Sequence, residues 1–319
     1  MRGRIPGAPM FVDNSMEPNS QATGAFEVRY LAFLETVVQI RPRLHRYCSR
    51  MTGSALDGED VVQDALFEAY RKLDQYDDSR SLSPWLFRIA HNRCIDFLRR
   101  QQVRDRAETS NAVADFMPSK EPAFLGVRPA LEHLVLTLPP KERACVLLKD
   151  VFDYSLEETA ELVNSTVGGV KAALNRARMK LASSPALPRS LRKANRDPEA
   201  TRVMQLYVDR FNRRDWDGVR ELISADATLR VADAFAGRLS DSPYFGNYDR
   251  WSMPWKMSLG EVDGELAVIV LQRGVDTWTP TGVARLMLDG RQIRRVVDYV
   301  HCPWVIPTAT SLTLATARR

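Results

Sequence analysis

The sequence predicts a multidomain chain: two all-α helical domains followed by an α+β domain. Three observations carry this. Apolar residues recur at helical spacing in successive segments up to Leu181. From Glu199 the pattern changes, and β-branched runs such as ELAVIVLQ at 265–272 enter. Polar, Pro-containing stretches at 103–128 and 185–198 separate the parts as linkers. The expected boundaries are therefore a disordered extension at 1–24, helical domains at 25–102 and 129–184, an α+β domain at 199–306 and a tail at 307–319.

A chain of 319 residues exceeds one ordinary domain, and 45% hydrophobic residues suffice for packed cores. The net charge of +5 is mild, so basic character must be local to matter. The four cysteines, Cys48, Cys94, Cys145 and Cys302, make no CxxC pair and no disulfide framework, which fits a reducing cytoplasm. His91 and Cys94 stand three apart, but no further ligand lies nearby in sequence; neither a metal nor a cofactor is expected. No apolar run is long enough to span a membrane, and no signal peptide opens the chain.

Phe26 to Met51 reads as helix interrupted near Pro42. Leu56 to Tyr76 is a second helix, with Asp57 placed to cap it. Its core face is Val62, Leu66, Ala69 and Leu73. Its far face aligns Asp60, Gln63, Asp64, Phe67 and Arg71. Phe67 is either an aromatic anchor ringed by charge, suited to a protein partner, or a residue covered by a neighbouring helix. The next helix opens at Ser83-Pro84, a cap followed by proline at the first helical position. Leu86, Phe87, Ala90, Cys94, Phe97 and Leu98 form its buried face. Trp85, Arg88, Asn92, Asp96 and Arg99 form the other. An exposed aromatic, an amide and arginines together can stack on unpaired bases, bond their edges and neutralise phosphate; the alternative makes Trp85 a core residue of the first turn.

Residues 138–181 read as a short helix, Lys141 to Asp150, and then a helix-turn-helix. Ser155 and Glu158 form a capping box, and Asn164-Ser165 makes the turn. Val167, Val170, Ala173, Leu174, Ala177 and Leu181 share an apolar face. Gly168, Ala172, Asn175, Arg176 and Met179 lie opposite, flanked by Lys171 and Arg178. Small residues let a backbone approach base edges, Asn175 suits adenine, and Arg176 suits guanine or phosphate. No acid occurs between Glu161 and Asp197, while eight basic residues do, as polyanion binding requires.

The segments DGEDVVQDALFEAY, SPWLFRIAHNRCIDFLRR and LPPKERACVLLKDVFDYSLEETAELVNSTVGGVKAALNRARMKL resemble the sigma-70 family, and more closely its extracytoplasmic-function (group 4) sigma factors, which keep regions two and four. The resemblance covers residues 26–184. It implies that Asp60, Gln63, Asp64 and Phe67 dock on the clamp helices of the RNA polymerase largest subunit. It implies that Trp85, Arg88, Asn92, Asp96 and Arg99 engage the melted minus-10 strand, and that the helix-turn-helix reads minus-35 duplex while region four contacts the polymerase flap. Two departures stand out. YDDSRSLS replaces the family's usual run before the tryptophan, and Gly168-Gly169 replaces bulkier residues.

In the last domain, Met204 to Ile223 reads as helix broken around Asp215 to Gly218, followed by strands at Asp226–Val231 and 265–272. Val283–Leu288 and Arg291–Val300 form a hairpin on a type I′ Asp289-Gly290 turn. YVDRFNRRDWDGVRELISADATLRV and the final VVDYVHCPWV resemble SnoaL-like domains, which implies a cone-shaped curved sheet closed by helices. Trp251, Trp255, Tyr244, Tyr248, Trp278, Asp298, Tyr299 and His301 either line a pocket for a small ligand or fill a core, and filling a core is the stronger reading, with Asp298 a solvated strand residue. The expected function is a cytoplasmic, non-enzymatic sigma factor whose C-terminal domain regulates it in cis through contact with the helical domains. The alternative is a ligand-sensing or small-molecule-converting SnoaL-like protein tethered to DNA.

Overall fold

The computed structural model describes residues 20–77, 79, 81–109, 138–183 and 197–315. They form two compact units, one helical and holding the described residues up to Ser183, the other beginning at Asp197.

In the helical unit α1 runs unbroken from Ser20 to Thr52 with Pro42 inside it. The expected interruption is absent. Proline removes one backbone bond, to the Val38 carbonyl, and both Pro42 and Val38 are solvent-exposed, so water replaces the lost donor. Residues 20–24, expected to be disordered, are helical; 1–19 lie outside the described residues. Gly53 (φ 83°) ends α1 in the left-handed region, and Ser54 at once caps α2, Ala55–Arg71, accepting from Asp57 N at 3.2 Å. Ser54, not Asp57, is therefore the cap, and Asp57 is buried one turn inside. The two helices cross closely: a Cβ at Gly58 would stand 2.6 Å from Ser49 backbone. An ion pair of Arg41 with fully buried Glu59 (2.5 Å) also ties them. Removing one partner of such a pair costs roughly 3–5 kcal/mol.

Helix α3 spans Leu82–Thr109, starting one residue before the expected cap and continuing seven residues into the expected linker. The rest of that linker, and most of the second one, lie outside the described residues. Helix α4, Pro140–Val146, gives way to a single π-type turn, Leu147–Val151, where one helix to Asp150 was expected; Phe152 N bonds back to Leu147 O at 2.9 Å. The turn swings Phe152 and Tyr154 inward. Then come α5, Leu156–Leu162, opened by the Ser155/Glu158 capping box, and α6, Val167–Ser183. Asn164 (φ 48°) makes the turn between them. Thr166 Oγ1 accepts from Gly169 N at 3.0 Å, compensating the two poor helix formers at the start of α6.

The two helical segments do not pack as separate bundles. Their buried apolar residues form one continuous cluster. Tyr47 of α1 and Phe87 of α3 meet Phe152 at 5.9 and 6.4 Å between ring centroids, and Phe87 meets Tyr154 at 5.6 Å. Arg43 NH2 donates to Phe152 O at 2.7 Å, with its guanidinium 4.9 Å from the Tyr154 ring centre. Arg143 of α4 donates to Met51 O and to Leu138 O; burial lowers its pKa to about 10. The seven-residue helices α4 and α5 cannot cover their own apolar faces, and α1 and α3 cover them.

In the C-terminal unit Asp197 caps α7, Pro198–Asn212, and Asp215 caps α8, Trp216–Glu221. A seven-stranded sheet follows in the order β2-β1-β6-β5-β4-β3-β7. The strands are β1 Ile223–Val231, β2 Phe235–Arg238, β3 Trp255–Val262, β4 Glu265–Arg273, β5 Trp278–Asp289, β6 Gln292–Asp298 and β7 Leu312–Leu314. Only β1 and β6 run parallel among the described strands. A short helix, α9 (Tyr244–Asp249), precedes β3, and α10 (Val305–Thr308) follows β6. The unit is thus an α+β domain, helices followed by a mainly antiparallel sheet. Two expectations change. The expected tail supplies α10 and β7, so the domain extends past 306. The type I′ turn lies elsewhere: Asp289 pairs with Gln292, and only Gly290 takes positive φ, whereas Asp263 and Gly264 both do (52° and 77°) between paired Val262 and Glu265.

His91, buried in the helical unit, accepts or donates at 2.8 Å with Tyr47 OH, and burial lowers its pKa from 6.5 to about 4. Its neutral form is the folded form, so its contribution is complete above pH 6.5 and is lost as the pH falls towards 4. Urea unfolding of wild type against His91→Gln across that window should show the wild type losing about 3 kcal/mol more than the variant.

Candidate nucleic-acid and partner interface

Of the α2 far face, Asp64 and Phe67 stand clear, Phe67 at 58% exposure. Among the described residues no neighbouring helix covers it. Asp60 and Gln63 are half-buried, and Gln63 Nε2 reaches Glu59 at 3.3 Å. Tyr70 is also exposed, set edge-on to Tyr30 at 5.7 Å.

On α3, Arg88, Asn92, Asp96 and Arg99 are exposed and Trp85 is half-buried. Trp85 leans on Tyr76 at 4.7 Å between ring centres. Both line a cleft of about 680 Å³ with Gln75, Asp77, Ser81, Pro84, Arg88, Glu161 and Leu162. Trp85 is thus neither sealed in the core nor fully free; one ring face is backed and the rest borders open space. Tyr76 was not among the residues singled out from the sequence, although an aromatic just before a polar loop and Ser-Pro was the available signal. Asp77 is turned onto its own loop: its Oδ1 accepts from Ser79 N at 3.1 Å and Ser79 Oγ at 2.7 Å. Asp96 and Arg99 pair weakly at 3.8 Å on the surface, which contributes little stability.

On α6 the apolar face is buried at Val170, Ala173, Leu174 and Ala177 and half-buried at Val167 and Leu181. Gly168, Lys171, Ala172 and Asn175 are exposed, and neither Lys171 nor Asn175 is bonded to another described residue. The arginines differ from the expectation. Arg176 Nε is held by buried Glu142 at 3.0 Å, with Lys180 on the same carboxylate at 2.8 Å, and Arg178 pairs with Asp150 at 2.8 Å. Lys180, with Arg176, holds the Glu142 carboxyl below the usual range. These cations anchor α6 to α4 and to the π-type turn, whereas the side chains of Lys171 and Asn175 are not engaged in this way.

In the C-terminal unit the expected pocket residues separate. Tyr244, Tyr248 and Trp255 are buried and Trp251 partly so, in a cluster of rings around Phe211. Trp278 and His301 are exposed, and Tyr299, though buried, lies outside that cluster. Asp298 is fully buried, not solvated. Its carboxylate accepts from Tyr244 OH at 2.8 Å, Tyr248 OH at 2.6 Å and Val300 N at 2.9 Å, and burial raises its pKa above the ordinary aspartate value. The rings fill the interior, and the carboxylate pins α9 to the end of β6. Among the described residues no group of His, Cys, Asp and Glu is arranged to hold a metal, and no helix is long and apolar enough to cross a membrane.

Comparison with known proteins agrees with this geometry. Residues 36–104 match Sigma-70 region 2, and 128–181 match Sigma-70 region 4. The chain is 32% identical over 159 residues to the ECF RNA polymerase sigma factor SigW of Bacillus subtilis, covering 46% of this chain and 85% of that protein. It is 28% identical over 255 residues to SigG of Mycobacterium tuberculosis, covering 70% of this chain and 66% of that one. Among solved structures it is similar to Mycobacterium tuberculosis SigJ, an extracytoplasmic function sigma factor, at 17% identity and a TM-score of 0.34, covering 83% of this chain and 95% of that one. The chain belongs to the ECF RNA polymerase sigma factors, which direct promoter-specific transcription initiation.

The Glu142 anchor is open to test. Glu142→Gln should lower the stability of the helical unit by about 1–3 kcal/mol in chemical denaturation, because two charge-assisted bonds to a buried carboxylate are lost.

Proposed function

We propose that this sigma factor divides promoter recognition between α3 and α6 and polymerase binding between α2 and region four, with the C-terminal unit regulating the chain in cis. The single observation carrying the α3 assignment is the cleft in which Trp85, backed by Tyr76, stands beside Arg88. A backed aromatic beside a cation accepts an extruded base of the melted minus-10 strand by stacking, while the cation meets phosphate. Asn92, Asp96 and Arg99 continue this face along the helix.

Helix α6 enters the major groove of the minus-35 duplex with Gly168 and Ala172 against the bases. Asn175 reads an edge, Lys171 takes a phosphate, and Arg176 and Arg178 keep the helix at its angle. On α2, Phe67 inserts between the clamp helices of the largest subunit, with Asp64 beside it and Asp60 and Gln63 behind; region four meets the flap. No cofactor takes part, and the site of action is the cytoplasm.

The C-terminal unit is read as a regulator, not a catalyst. The candidate base for an enzymatic reading is Asp298, and its carboxylate is already engaged by two hydroxyls and an amide inside a filled interior. In vitro transcription with core polymerase tests the division of labour. A chain ending at Pro188 should keep promoter-specific initiation; turnover of a metabolite by 199–319 would support the small-molecule reading instead.

In that assay Asp64→Lys combined with Phe67→Ala should abolish polymerase binding at an unchanged melting temperature. Trp85→Ala should leave binding to closed duplex promoter intact and weaken capture of the melted strand by about 1–3 kcal/mol, the range for losing one base–aromatic stack.

A further inference from the structure

We infer that the C-terminal unit binds the phosphate backbone of duplex DNA through an arginine-bearing half of its sheet. The two faces of that sheet are unlike. One carries the ring cluster around Phe211, with Leu229, Leu286 and Val296 in its core. On the other face Ile269, Leu271 and Val283 of β4 and β5 are buried outside that core. Towards β2, β1 and β6 the same face turns polar. Register sets Arg238, Thr228 and Arg295 side by side across these three strands, with Met287 of β5 next in the row. Arg230 stands two residues along β1, on the same face because side chains alternate. Arg238, Thr228 and Met287 are exposed, and Arg230 and Arg295 are half-buried. Neither Arg238 nor Arg295 is held in an ion pair by another described residue. The acids nearest in sequence lie towards the strand ends. Asp226 is held by the Ser224 hydroxyl, Asp241 by Ser240 Oγ at 2.8 Å and Asp289 by Arg294 at 3.0 Å, and Asp233 sits in the β1–β2 turn.

The form of the row selects its occupant. Neighbouring strands lie about 4.8 Å apart, so the backbones of Arg238 and Arg295, two strands apart, are separated by about 10 Å. That is an open row of cations, not a cradle around one small anion. A polymer with repeating phosphates fits it, and guanidinium forks pair with phosphate oxygens in two-point fashion. A second copy laid face to face would set arginine against arginine, which like charge opposes. Duplex is the polyanion at hand, and here the inference rests on the reading of α6 given above. Residues 184–196 join α6 to α7, and at about 3.3–3.6 Å per residue they span at most about 50 Å. With α6 seated on the minus-35 duplex, the tethered sheet meets the adjoining phosphates at a high effective concentration, so a weak contact suffices. Phosphate contacts add affinity without sequence information, which leaves specificity to α3 and α6.

The test measures binding of the full chain to a mixed-sequence DNA duplex across a salt series, without polymerase. Arg238→Gln combined with Arg295→Gln should weaken binding about tenfold or more and lower the slope of log affinity against log salt by about 2, because each phosphate contact contributes about 0.9. Thr228→Glu sets a carboxylate between the two arginines while leaving both in place. It should act in the same direction, and it serves if the double variant fails to fold. Lys171→Ala on α6 reports on region four and should lower the slope by about 1. Unchanged affinity and slope in the sheet variants, with Lys171→Ala effective, would overturn the inference and leave the reading of α6 intact. Effective sheet variants with a silent Lys171→Ala would keep the sheet contact and sink the duplex assignment of α6. A wild type that binds a polyglutamate peptide as tightly as the duplex at the same salt, through the same arginines, would assign the face to an acidic protein and also overturn the inference.

Discussion

The helical unit depends on one aromatic seam. Tyr47 and Phe87 from region two meet Phe152 and Tyr154 from region four, and Arg43 caps the join. Region four's α4 and α5, seven residues each, are too short to be stable by propensity, and tertiary cover makes up the difference. The π-type turn at Leu147–Val151 is what delivers Phe152 and Tyr154 to the seam; a regular helix through Asp150 would aim them elsewhere. Aromatic pairs contribute about 0.5–1.5 kcal/mol each beyond area burial, and three such contacts cross the join, adding to the apolar core the two regions share.

Polar groups inside the two units work differently from those on the interface. Glu59, Glu142 and Asp298 are all buried, each is engaged by more than one donor or cation, and each fixes the geometry of a helix. The outward groups at Asp64, Phe67, Asn92, Lys171 and Asn175 pay for nothing structural. That division explains why the surfaces proposed to face polymerase and DNA can carry charge and an exposed ring without weakening the fold.

Much of this was legible in the residues. Phe67 stays open between exposed and covered, but the capping box at Ser155 and the buried stripe of α6 follow from spacing alone, because a helical period states which face is apolar. It does not state what covers that face, so the shared core was not foreseen. Charged residues read as solvent-facing, so the Arg41–Glu59 pair and the buried Asp298 were invisible. The Asp-Gly pairs at 263–264 and 289–290 look alike in sequence; register alone makes Asp263-Gly264 the loop while drawing Asp289 into the ladder. Strand β3 did carry a signal, Trp255, Met257 and Leu259 alternating with Lys256 and Ser258, and its burial follows that alternation. Pro42 misled because proline's cost depends on whether water reaches the orphaned carbonyl.

Amide hydrogen exchange on wild type and Phe152→Ala tests the shared core most directly. If the seam joins the regions, the substitution speeds exchange in α1 and α3 together with α4 to α6, although Phe152 belongs to region four. Faster exchange confined to α4, α5 and α6, with α1 and α3 protected as before, would mean that region two closes its own core and would contradict the account.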